Sequence, residues 1–166
     1  GRYGAPGMID AILMGSAALK KAYQERVIEA QKAAISQEQA LQTELDQLKA
    51  FGLQETELYR QKEDALAKLK KDAEDKAQAE KLKIIQEGLA AELGEAEKQF
   101  LQKMINEDEY NKMILDLKAE AIQKELDLMK LAGQEETAAF KEKEVELTKV
   151  KAEETKRREE IEIRYR

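Results

Sequence analysis

The sequence has no cysteine, no histidine and no tryptophan, and it has only one proline. Without cysteine it can form no disulfide, no zinc–thiolate site and no thiol nucleophile. Without histidine it lacks the commonest general base, metal ligand and physiological pH switch. Catalysis would have to rest on carboxylates and lysines in a dry, concave pocket, which thin helical rods seldom supply. The chain is therefore read as a non-enzyme, with no catalytic, cofactor-binding or metal-binding residue. Long hydrophobic runs are also missing. The most apolar stretch, Met8 to Leu19, contains Asp10 and falls short of the roughly 20 residues that span a bilayer. It has neither the basic start nor the cleavage site of a secretory signal. No stable membrane span is expected.

Charge of one sign is lacking too. The formal net charge of -6 arises from 35 acidic and 29 basic residues, closely interspersed. No basic stripe offers nucleic acid an electrostatic footprint. The cluster Lys156-Arg157-Arg158 is followed at once by Glu159-Glu160, which reads as a solvated helix face with local ion pairs.

What is present is helix-forming. Of 166 residues, 39% are charged and 42% apolar, with aromatics at only 5%. Ala, Glu, Lys, Leu and Gln dominate, as in long helices and coiled coils. So charged a chain could be disordered, but the regular apolar spacing argues for helix. The chain opens Gly1-Arg2-Tyr3-Gly4-Ala5-Pro6-Gly7 and ends within a helical pattern. It is expected to be a piece of a longer protein.

A block of sequence occurs twice, 81 residues apart. Gln42, Glu44-Leu45-Asp46, Lys49, Gly52, Glu55-Thr56, Tyr59, Lys62-Glu63 and Leu66 return as Gln123, Glu125-Leu126-Asp127, Lys130, Gly133, Glu136-Thr137, Phe140, Lys143-Glu144 and Leu147. Such spacing marks a supersecondary unit copied end to end. In each copy a glycine ends a helix and a threonine stands ready to cap the next. A turn this short returns the second helix antiparallel to the first.

The expected fold is all-α, with long helices in antiparallel coiled-coil hairpins and repeat units at about 28–80 and 109–161. Residues 1–8 read as a loop, 9–52 as the first helix, 53–105 as a second long helix, 106–133 as the third, and 134–166 as a fourth that turns polar at its end. Ser36 with Gln39 resembles a capping box, but with no proline or glycine nearby the helix is expected to continue through it. Leu82, Ile85, Leu89, Leu93, Ala96, Phe100 and Met104 follow an eleven-residue rhythm, which implies nearly straight helix pairing. Gly88 and Gly94 interrupt it and leave two readings, close approach of another helix or bending. Asn106 with Glu109 forms a second capping box. The third helix carries a broad apolar band, able to contact two neighbours. A lone hairpin would leave part of that band uncovered, so self-association is expected.

From Asn106 the run Asn-Glu-Asp-Glu-Tyr-Asn-Lys-Met, then Leu-Lys-Ala-Glu-Ala-Ile, then Glu-Leu-Asp-Leu-Met-Lys-Leu-Ala-Gly-Gln-Glu-Glu-Thr resembles tail tape-measure proteins of phages and prophages of gut Bacteroides-type bacteria. The likeness is strongest over about 98–150 and weaker over 28–80. The small, apolar segment Met8–Ala18 also fits such proteins. The resemblance implies a structural protein of the virion tail, assembled in the bacterial host cytoplasm, with tail-tube and tail assembly proteins as partners. It implies no cofactor and brings no catalytic motif. A tape measure sets tail length by its own contour length, and helix converts residues to distance at about 1.5 Å each. Two alternatives stay open: a holdase-like coiled-coil chaperone, and a generic stalk or spacer.

Overall fold

A computed structural model describes residues 21 and 23–165, without the side chains of 22–24. Among the described residues the chain is all-helical. A π-helical segment, Tyr23–Ile28, leads into α1, Glu29–Ala50. Then follow α2, Glu57–Leu101, α3, Glu107–Leu131, and α4, Ala138–Arg164. The segments 1–8 and 9–20, with Met8–Ala18, lie outside the described residues. The helix passes unbroken through Ser36. The helices are shorter than the sequence pattern suggests, because the capped turns take up residues at each junction. Residues 53–56, 102–105 and 134–137 lie in the turns.

The chain divides into two compact units, and the division falls inside α2 between Lys81 and Leu82. In the first unit α1 and the early part of α2 run antiparallel. Arg26 pairs with Glu80, and Glu44 with Lys62 at 2.5 Å, so partner numbers fall as chain number rises. Val27, Leu45, Leu66 and Ala77 are its buried apolar residues.

In the second unit α3 is flanked on two sides. Ile122, Leu126 and Met129 of α3 form one apolar cluster with Phe140 and Leu147 of α4, and Ala119 and Val150 pack against it. Toward α2, Ile85 and Leu89 share a crevice with Leu117 and Ala121. Nearer the α2–α3 turn, the rings of Phe100 and Tyr110 stack at 4.7 Å. Each fully buried Leu, Ile or Phe is worth about 1.5–3 kcal/mol, while an exposed ion pair is worth about 0–1 kcal/mol. The apolar seams therefore hold the unit, and the surface charge pairs add little. α2 and α4 thus lie on either side of α3, and Leu131 at its end stays 40% exposed. The eleven-residue rhythm of α2 holds as far as Phe100 and fails at Met104, which is 69% exposed. Met104 has already left the helix for the turn.

Candidate functional site

The two glycine turns are built bond for bond alike. In the α1–α2 turn, Leu53 N–H donates to Leu48 O at 2.9 Å and Gly52 N–H to Lys49 O at 3.0 Å. In the α3–α4 turn, Gln134 N–H donates to Met129 O at 2.9 Å and Gly133 N–H to Lys130 O at 3.0 Å. This pair of bonds closes a helix when the next residue is left-handed, a conformation that glycine adopts without a Cβ penalty. Gly52 and Gly133 have φ of 71° and 70°. The hydroxyl of Thr56 then accepts from Tyr59 N–H at 3.3 Å, and that of Thr137 from Phe140 N–H at 3.2 Å. Both threonines satisfy an otherwise unpaired donor in the first turn of the helix that follows.

Beside each turn a carboxylate on the incoming helix meets a lysine on the outgoing one. Lys62 Nζ donates to Glu44 Oε2 at 2.5 Å, and Lys143 Nζ to Glu125 Oε2 at 2.6 Å. Their settings differ. The Glu44 side chain is 48% exposed, the Glu125 side chain 4%. Glu125 Oε1 also accepts from Gln86 Nε2 of α2 at 2.8 Å. The neighbouring residues account for the difference. Where α3 presents Leu117, Ala121 and Leu128 toward the interior, α1 has Ser36, Ala40 and Gln47, all exposed. α1 therefore has one apolar face and α3 has two. The sequence lists Glu125 and Lys143 among its recurring residues, and the 18-residue separation shared with Glu44 and Lys62 is the signal that pairs them.

The α2–α3 turn has the same closing bonds. Met104 N–H donates to Gln99 O at 2.9 Å and Lys103 N–H to Phe100 O at 3.0 Å. Here the left-handed position is held by Lys103, with φ of 59°. Asn106 caps α3 as its sequence indicates. Its Oδ1 accepts from Glu109 N–H at 2.8 Å, and Glu109 Oε1 accepts from Asn106 N–H at 3.3 Å.

At the end of the α3–α4 pair lies a crevice of about 250 Å³ lined by Leu115 and Ile161 among charged residues. Arg164 Nη1 reaches both oxygens of Asp108, at 3.0 and 2.9 Å. Those contacts raise the Arg164 pKa above the usual arginine value. Arg157 pairs with Glu153 at 3.3 Å. The crevice mixes both signs of charge, so it selects neither an anion nor a cation. Elsewhere, burial pushes the Lys81 ammonium below the ordinary lysine pKa. Among the described residues no group of acidic side chains could hold a metal ion, and no helix is long and apolar enough to cross a membrane. No protein-family model matches the chain, and comparison with curated proteins and with solved structures finds no match.

Proposed function

We propose that this chain is a structural, non-catalytic helical segment whose copied unit is an antiparallel coiled-coil hairpin, and that it works as part of a phage tail length ruler or scaffold. One observation carries the reading. Two turns 81 residues apart use the same backbone bonds, the same glycine conformation and the same threonine cap. What the repeat preserves is the architecture of a bend, with no set of reactive groups. Copying such a unit changes length, and length is what a ruler transmits. Drawn out as one continuous helix, 81 residues measure up to about 120 Å, so the ruler works with its hairpins extended in the tail.

In this reading the segment sits in the virion tail after assembly in the host cytoplasm. Tail-tube and tail assembly proteins are its partners, and copies associate through helix seams. The exposed Phe51 and Leu58 at one turn, and Leu101 and Met104 at another, offer apolar contacts for such partners. The test is tail length by electron microscopy in virions whose parent gene lacks Gly52 to Ala132 in frame. Tails shorter by about 12 nm support the ruler. Tails of normal length overturn it for this segment.

A further inference from the structure

We propose that the α2–α3 turn is a hinge, at which the fold opens while the two glycine turns stay closed. Three turns close with one bonding scheme, and in two of them the left-handed residue is glycine. In the α2–α3 turn it is Lys103, which has a Cβ and prefers the right-handed helical region. The segment Leu101–Asn106 contains neither glycine nor proline. Every residue in it can be accommodated in a continuous helix. Rotating the backbone of these few residues would carry α2 straight into α3.

Two local devices clasp the turn, beside the apolar seam of Ile85 and Leu89 with Leu117 and Ala121. One is the reciprocal cap of Asn106 and Glu109, which supplies acceptors to two N–H groups at the start of α3. The other is the stack of Phe100 on Tyr110 across the turn. A straight helix needs neither, because its own carbonyls satisfy those N–H groups. The turn is thus a strained backbone residue held by two local clasps and by that seam. The glycine turns carry no such strain. Opening here leaves the α3–α4 cluster of Ile122, Leu126, Met129, Phe140 and Leu147 intact and parts α2 from α3, with the Gln86–Glu125 hydrogen bond. The inference concerns the chain by itself and stands whether or not the ruler reading holds.

The absence of cysteine makes the test direct, since introduced cysteines are the only sites for spin labels. Ala90→Cys with Glu120→Cys straddles the α2–α3 turn. Gln123→Cys with Val145→Cys straddles the α3–α4 turn. All four positions are exposed. In a straight helix the first pair would stand about 45 Å apart. In the closed form it sits on neighbouring helices, with axes about 10 Å apart. Double electron–electron resonance in moderate urea is expected to show the long distance for the first pair, while the second keeps its short one. Adding Lys103→Gly should cut the open-to-closed ratio about fivefold. The proposal is overturned if both pairs lengthen together, or if Lys103→Gly leaves the ratio unchanged.

Discussion

Glu125 and Lys143 meet at 2.6 Å inside the second unit, in the same register as Glu44 and Lys62 in the first. The covalent chemistry is the same and the solvent is not. Removing one partner of a buried pair leaves an uncompensated charge, which costs about 3–5 kcal/mol. An exposed pair loses at most about 1 kcal/mol. Lys143→Met should therefore destabilise its unit by about 3 kcal/mol, and Lys62→Met should have little effect. Urea unfolding of the two variants measures both. Equal losses would mean that the covering of Glu125 by α2, with the Gln86 hydrogen bond, contributes nothing to the pair.

The same glycine-to-alanine change should have opposite signs at different positions. At Gly52 and Gly133 the left-handed backbone is strained by any side chain, although a Cβ would meet nothing within 4 Å. Each change should cost about 1 kcal/mol. Gly94 lies inside α2, and there too a Cβ would meet nothing within 4 Å. Neither close approach nor strain needs a glycine there, so Gly94→Ala should gain about 0.5–1 kcal/mol. Thermal unfolding of the three variants checks the signs. Destabilisation by Gly94→Ala would remove the open-space reading of that position.

Lys81 gives the fold a pH dependence of definite sign. Burial lowers its folded pKa below the unfolded value, so the folded state binds fewer protons in the window between the two. Its contribution to stability therefore rises as pH climbs through the folded value toward the ordinary lysine value. Lys81→Met removes that term. The stability gap between the variant and the parent should shrink from neutral pH to about pH 10. Chemical denaturation at the two pH values reads the gap. A constant gap would show that the ammonium carries no burial penalty.

Much of this arrangement is legible in the sequence, for local reasons. Gly52, Gly133, Thr137 and the Asn106–Glu109 pair act on backbone within a few residues of themselves, and the chain reads them in order. The apolar band of α3 is legible too, since its period is set by helix geometry. Three features escape a linear reading. Glu125 is buried because α2 returns over it, which nothing near Glu125 announces. The left-handed residue of the α2–α3 turn is a lysine, so the usual mark of such a turn is missing. Met104 continues the apolar rhythm of α2 in sequence but not in space, because the helix ends at Leu101. No residue marks a reactive site in the sequence, and the charged crevice at Asp108 and Arg164 forms only when both ends of the α3–α4 pair are brought together.

A chain that contains one folded unit twice should keep that unit when one repeat period is removed. Deleting Gly52 to Ala132 joins α1 to α4 through the Gly133 turn and leaves about half the chain. If the two copies are the same unit, every bond of the turn is rebuilt. Leu48 O accepts from the Gln134 N–H, Gly133 takes the left-handed position, and Glu44 faces Lys143. Circular dichroism during urea unfolding should then show a helical protein that melts in one cooperative transition. A double-mutant cycle should also give a coupling of about 0.2–1 kcal/mol between Glu44 and Lys143. A broad, non-cooperative loss of helix, with no coupling between those residues, would contradict the claim.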